Sequence, residues 1–97
     1  MLYNKNYYIY MMASVSNVLY IGVTNDLFKR CQGHKECVNP GSFTSRYRCF
    51  KLVYFEEYQS IFEAIAREKQ LKKWNRLWKF NLIKKLNPKL EDLALKI

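Results

Sequence analysis

Two aromatic and β-branched runs lie close together near the start of the chain. Tyr7–Met12 reads YYIYMM and Val18–Val23 reads VLYIGV, and neither run contains proline. Such runs are typical of β-strands. The residues between them, ASVSN, are small or polar, so the two strands are predicted to pair as an antiparallel hairpin. Because side chains alternate across a strand, Tyr10 is expected on the opposite face from Ile9 and Met11.

A helix is predicted directly after the hairpin. The segment 24–26 (TND) supplies capping side chains, and no proline interrupts the chain from Leu27 to about Cys37. Arg30 and His34 are four residues apart, so they are expected on one face of this helix. The segment 39–42 (NPGS) ends it and begins a loop.

This loop is basic and is expected to continue through residues 44–48. A third strand is then predicted over Lys51–Tyr58 (KLVYFEEY). Its apolar centre indicates burial on both faces, which predicts a central position in the sheet.

The longest predicted helix begins at Ser60, where Ser60 and Glu63 form a capping-box pattern. One side of its helical wheel is apolar and includes Ile61, Ala64, Ile65, Leu71, Trp74 and Trp78. Glu68 falls in the middle of this apolar side. A carboxylate in such a position is seldom buried unless it is paired or binds a metal ion.

The rest of the chain predicts a short helix over Phe80–Leu86, a break at Asn87 and Pro88, and a final helical turn around 91–95. The predicted order is β-β-α-β-α-α. This is an α/β fold of the α+β type, with a three-stranded, mostly antiparallel sheet flanked by helices. The length favours one domain over residues 1–97.

The balance of charge indicates a polyanionic partner. The chain has 17 lysine and arginine residues against eight aspartate and glutamate residues, a formal net charge of +9. Nucleic acid is favoured over a membrane surface, because the basic residues are spread over several segments. The sequence has neither an apolar run of about 18 residues nor a signal peptide, so a cytoplasmic protein is expected.

The three cysteines predict reduced thiols and no disulfide-linked partner, because their number is odd and no C-x-x-C pair occurs. Cys31, His34, Cys37 and Cys49 also compose a possible zinc set. A helix disfavours this set, because it would place Cys31 and Cys37 about 120° apart around the axis.

The ordered motifs resemble those of the GIY-YIG nucleases. Tyr8-Ile9-Tyr10 and Tyr20-Ile21-Gly22 look like the two signature motifs, with Tyr8 standing where the family name has glycine. The resemblance extends through Arg30 and His34 to Glu68 and covers essentially the whole chain.

This resemblance implies hydrolysis of DNA phosphodiester bonds with one divalent ion, Mg²⁺ or Mn²⁺, and catalytic roles for Tyr10, Tyr20, Arg30, His34 and Glu68. Glu68 would bind the ion, since Mg²⁺ accepts one carboxylate together with waters and phosphate oxygens. Arg30 would bind a phosphate oxygen, and His34 would contact phosphate or relay a proton. Tyr10 is the expected general base.

Other residues are expected to support the site or hold the DNA backbone. Tyr47 and Asn87 are the supporting candidates, and Arg46, Arg48 and Lys72 are the candidates for phosphate contacts. The family suggests branched or damaged DNA, and a role in DNA repair or recombination. A catalytically silent nucleic-acid-binding module remains the alternative, followed by a protein-interaction adaptor with an unidentified protein partner.

Overall fold

The computed structural model describes residues 6–36 and 39–97. Its elements, in chain order, are β1 (Tyr7–Ala13), β2 (Leu19–Thr24), α1 (Leu27–Lys35), α2 (Phe43–Tyr47), β3 (Lys51–Tyr58), α3 (Ile61–Lys73), α4 (Arg76–Leu86) and a 3₁₀ turn (Leu93–Lys96). No helix within these residues is long and apolar enough to cross a membrane.

The three strands form one antiparallel sheet in the order β2-β1-β3. The predicted hairpin is confirmed, and Tyr10 lies opposite Gly22 on β2 and Phe55 on β3. The predicted central position of β3 is wrong, since β1 is the middle strand. β3 is apolar because its Leu52 and Val53 are buried in the packing on opposite faces of the sheet.

The two faces of the sheet carry separate clusters of buried residues. Ile9 and Met11 pack with Ala64 and Leu71 of α3 on one face. Tyr10 packs on the other face with residues that include Leu27 and Cys31 of α1. The predicted alternation along β1 is therefore confirmed. This alternation places successive side chains of β1 on two different faces of the sheet, one covered by α3 and α4 and the other by α1.

The ends of the helices are set by capping side chains. Asp26 begins α1 by accepting a hydrogen bond from the Lys29 backbone N–H at 3.0 Å. Ser60 begins α3 in the same way, accepting from Phe62 at 3.2 Å and Glu63 at 3.5 Å. These contacts satisfy backbone donors that have no partner inside the helix.

Two predictions for the connecting segments are wrong. Residues 43–47 form the short helix α2 and not a loop, because Ser42 caps it by accepting from the Ser45 N–H.

The long helix ends at Lys73, before Trp78. Asn75 interrupts it by capping a new helix, accepting from the Trp78 N–H at 2.9 Å, so that α4 starts at Arg76 and not at Phe80. Trp78 is consequently 55% exposed.

Candidate active site

The phenol of Tyr10 lies directly over Gly22 of the neighbouring strand. A Cβ atom at Gly22 would be only 2.7 Å from the phenol carbon Cζ and from the phenol oxygen of Tyr10. Real Cβ contacts are essentially never that short. The glycine of the Tyr20-Ile21-Gly22 motif is therefore required for packing, because it leaves room for the tyrosine of the first motif.

A chain of hydrogen bonds starts at that phenol. The Tyr10 oxygen is 2.9 Å from Nε2 of His34, and Nδ1 of His34 is 2.8 Å from the Thr44 hydroxyl. Tyr10 and Thr44 are buried. These hydrogen bonds thus connect β1, α1 and α2. We call the three residues Tyr10, His34 and Thr44 the site network.

The site network is neutral near pH 7. Burial raises the pKa of Tyr10 well above its usual value, and the nearby Tyr20 raises it further. Burial also lowers the pKa of His34, and the Arg30 cation adds to this decrease. A neutral imidazole has one donor and one acceptor nitrogen. In one tautomer Tyr10 donates to Nε2 and Nδ1 donates to Thr44, and in the other both directions reverse.

A cavity of about 700 Å³ opens beside the site network. Tyr20, Arg30 and His34 line it together with the cationic Lys29 and the acidic Asp26 and Glu36. The ring centroids of Tyr20 and His34 are 5.5 Å apart, and those of Tyr20 and Tyr10 are 6.1 Å apart. The structure therefore brings four of the five predicted catalytic residues, Tyr10, Tyr20, Arg30 and His34, to one place.

A series of aromatic rings continues from this cavity to the surface. The Phe43 ring centroid is 6.0 Å from that of Tyr20 and 4.6 Å from that of Tyr47. The guanidinium of Arg46 lies 5.9 Å from the Tyr47 ring. Sequence reasoning missed Phe43 and Thr44. The spacing of Phe43 and Tyr47, four residues apart after a serine cap, was the available signal for Phe43.

Glu68, the fifth predicted catalytic residue, lies on α3 and is not part of the cavity lining. It belongs to the helical stripe of the buried Ala64 and Leu71, and its side chain is 19% exposed. Its carboxylate pairs with Lys72 at 3.3 Å. This is the pairing that a carboxylate on an apolar stripe requires.

The chemistry of Glu68 limits the kind of cation that it could hold. Within residues 6–36 and 39–97, no group of three or more His, Cys, Asp and Glu side chains is arranged to hold a metal ion. A single carboxylate such as Glu68 is a suitable ligand for a hard ion like Mg²⁺, which keeps most of its waters. It is not sufficient for an ion that takes all of its ligands from the protein. Lys72 is 53% exposed, so it has room to move away from the carboxylate.

The remaining candidates lie outside this cluster. The amide of Asn87 donates to the backbone oxygens of Val53 and Glu91 at 3.0 and 2.9 Å, so it attaches the C-terminal segment to β3. Arg46 and Arg48 are exposed near α2. Of the possible zinc ligands, Cys31 and Cys49 are buried thiols, and Cys37 lies outside the described residues.

Comparison with known proteins decides the family. The sequence profile of the GIY-YIG catalytic domain matches residues 6–81. This chain belongs to the GIY-YIG family. The predicted resemblance and fold class are therefore confirmed.

Relatives of this GIY-YIG protein are similarly small. It is 36% identical over 85 residues to a UPF0213 protein of Syntrophus aciditrophicus, covering 88% of this chain and 95% of that one. It is 35% identical over 85 residues to a UPF0213 protein of Clostridium perfringens, covering 88% and 90%. The solution NMR structure of a UPF0213 protein from Bacillus halodurans superimposes on this chain with a TM-score of 0.57 at 25% identity. The superposition covers 90% of this chain and 92% of that one.

Proposed function

We propose that this GIY-YIG protein is an endonuclease that hydrolyses DNA phosphodiester bonds with the help of a divalent ion. One observation carries the proposal. Tyr20, Arg30 and His34 line one cavity, and buried contacts beneath it fix their supporting residue Tyr10. Family membership and the net charge of +9 support the same conclusion.

Arg30 binds the phosphate in this proposal. Its planar guanidinium donates two parallel hydrogen bonds to phosphate oxygens and stabilises the charge that develops as water attacks phosphorus. Arg46, Arg48 and Lys72 are exposed cations that bind neighbouring phosphates without reading base sequence.

In this proposal Tyr20, and not Tyr10, contacts the attacking water. The motifs alone suggested Tyr10 as the general base. Tyr10 has no exposed surface, and its raised pKa keeps it protonated. Tyr20 is half-buried and lines the cavity, so its phenol oxygen can accept a hydrogen bond from water and orient it toward phosphorus. His34 is a positioning residue, because both ring nitrogens already have partners in the site network.

Glu68 is the residue that would hold Mg²⁺ or Mn²⁺. A divalent ion held there would supply positive charge that stabilises the phosphate and the leaving oxygen. Lys72, the exposed cation that pairs with Glu68, would contact a phosphate oxygen of the strand.

The proposal is tested by incubating the full chain with supercoiled, linear and branched DNA plus Mg²⁺ or Mn²⁺. Arg30→Gln and Glu68→Gln are each expected to lower cleavage by about 10² to 10³, the usual loss for one charge-stabilising group. Glu63→Gln is the matched control, since it removes an exposed carboxylate from the same helix. Undiminished metal-dependent cleavage by Glu68→Gln would remove Glu68 from the mechanism.

The pairing of Glu68 with Lys72, away from the cavity lining, favours a second candidate: a nucleic-acid-binding module without catalysis. This candidate predicts salt-sensitive DNA binding that Glu68→Gln leaves unchanged, and no cleavage with either ion.

A further inference from the structure

Two aromatic rings at the mouth of the cavity have large exposed surfaces. Phe43 is 44% exposed and Tyr47 is 47% exposed, although their centroids are only 4.6 Å apart. Phe43 also lines the cavity and contacts Tyr20. An apolar surface thus runs continuously from the candidate site out to solvent.

α2, which carries these rings, is attached to the site network through Thr44. Phe43 and Tyr47 are four residues apart, so they share one face of α2. Between them, Thr44 is buried and bonded to His34. A ligand on the rings therefore lies beside the site network.

Cations lie beside the rings, while Asp26 and Glu36 lie in the cavity that Phe43 also lines. The chain from residue 39 to residue 55 contains Arg46, Arg48 and Lys51 and no acidic residue. The guanidinium of Arg46 lies beside the Tyr47 ring. A flat apolar surface next to cations fits a ligand that has a planar ring and a phosphate group.

We propose that the Phe43–Tyr47 pair stacks an unpaired nucleobase next to the phosphate bound at Arg30. This inference rests on the proposed nuclease function and specifies its substrate class. In a continuous duplex each base is covered by its neighbours in the stack and must first be unstacked to reach the rings, a cost that a single strand, a flap or a gap avoids. The preferred substrate is accordingly DNA with an unpaired nucleotide beside the cleaved bond.

The experiment shortens a single-stranded deoxyoligonucleotide to the minimum length that keeps full affinity, so that the register of binding is fixed. It then moves one abasic position along this strand and measures the affinity for the full chain in EDTA, where cleavage is prevented. For the wild type, one abasic position is expected to weaken binding about tenfold, the typical effect of one base–aromatic stack. Phe43→Leu and Tyr47→Leu keep apolar bulk but lose the ring, so each is expected to bind about tenfold less tightly to the intact strand and to become insensitive to the abasic position. Phe62→Leu is the control, because it removes an 80% exposed ring from α3.

The outcomes separate this inference from the nuclease function. Base-dependent binding that disappears in both ring variants supports stacking, even when Mg²⁺ produces no cleavage. Equal affinity for every abasic strand overturns stacking, even when the wild type cleaves DNA. Loss of affinity in Phe62→Leu equal to that in Tyr47→Leu also overturns it. A wild-type dimer in sedimentation that Tyr47→Leu converts to a monomer would assign the rings to self-association and overturn it as well.

Discussion

The two faces of the sheet each hold a polar network, and the networks differ in charge and in access to solvent. The site network is neutral and adjoins a cavity. On the α3 face, Arg67 donates two hydrogen bonds to Glu56, at 2.9 and 3.0 Å. The phenols of Tyr54 and Tyr58 also donate to Glu56. These four residues are called the salt-bridge network.

The salt-bridge network satisfies its own charge. Burial alone would raise the pKa of Glu56, but the hydrogen bonds from Arg67, Tyr54 and Tyr58 together hold it below its usual value. Burial and the Glu56 carboxylate raise the pKa of Tyr58 to about 12. All members are therefore fixed in one protonation state near neutral pH. Similar side chains give a structural contact on one face and a candidate site on the other. Among the residues that the structure describes, the site network adjoins the 700 Å³ cavity, and no member of the salt-bridge network lines that cavity.

The largest effect is expected from disturbing the site network through its packing. Gly22→Ala places a methyl group where the Tyr10 phenol lies, and Tyr10 is too deeply buried to move freely. A displacement of about 1 Å in an active site can cost roughly 100-fold in rate, so cleavage is expected to fall by about that factor. The free energy of unfolding should decrease by about 1 to 3 kcal/mol from overpacking.

Gly41→Ala is the matched control for this substitution, because its added Cβ would meet no atom within 4 Å apart from those of its chain neighbours. Cleavage assays and urea unfolding of both variants provide the measurements. Wild-type activity in Gly22→Ala would show that the position of the Tyr10 phenol has no role in the site.

A second substitution breaks the salt-bridge network. Arg67→Met leaves the Glu56 carboxylate partly buried without its cation, so the free energy of unfolding is expected to fall by about 2 to 3 kcal/mol. Both side chains retain about a fifth of their exposure, which keeps the loss below that of a fully buried pair. Cleavage by the folded protein should remain within about twofold of the wild type.

Lys69→Met controls for this change, because Lys69 is exposed on the same helix. Thermal unfolding and cleavage at a temperature where both variants are folded separate the two effects. A large loss of activity in folded Arg67→Met would couple the two faces of the sheet and contradict the proposed division of roles.

The parts of the fold that sequence predicted correctly depend on local chemistry. The hairpin follows from two apolar runs and a short polar connection, and the start of α1 follows from Asp26 as a cap. The position of β3 at an edge depends on pairing between distant segments, which its own residues do not encode. The end of α3 was missed because Trp74 and Trp78 continue the apolar spacing, while the capping side chain of Asn75 stops the helix.

The same distinction applies to the candidate site. Arg30 and His34 were placed on one helix face by their spacing, and both line the cavity. Thr44 was missed because its bond to His34 connects two separate helices, and no local pattern indicates such a contact. The burial that distinguishes Tyr10 from Tyr20 was equally absent from the sequence, because both tyrosines occupy similar motifs on paired strands.

The third prediction separates those two tyrosines. Tyr10→Phe removes the hydroxyl that contacts His34 in the part-buried site network, so the free energy of unfolding is expected to fall by about 1 to 2 kcal/mol. Tyr20→Phe should change stability by less than about 0.5 kcal/mol, since its ring is kept and the residue is half-buried. If Tyr20 orients the attacking water, this variant loses cleavage while keeping stability. The opposite pattern in urea unfolding and cleavage assays would return the catalytic role to Tyr10.

The smallest expected effect is a difference in the pH dependence of stability between the two networks. The folded-state pKa of His34 is lowered by burial and by Arg30, so the unfolded chain binds a proton here more readily than the folded chain. The contribution of His34 is therefore fully present above its unfolded-state pKa of about 6.5 and is lost as pH falls toward the folded-state value. Its slope is at most about 1.4 kcal/mol per pH unit, because one proton is involved.

Glu56 responds in a separate pH window. Its folded-state pKa is lowered from the ordinary 4.5, so its contribution is present above about pH 4.5 and is lost only as pH falls through the folded-state value. Urea unfolding between pH 7 and pH 5 should thus show a loss in the wild type that His34→Gln lacks and that Arg67→Met retains. The same slope in wild type and His34→Gln would contradict a neutral, half-buried His34, and would assign the acid sensitivity to other groups.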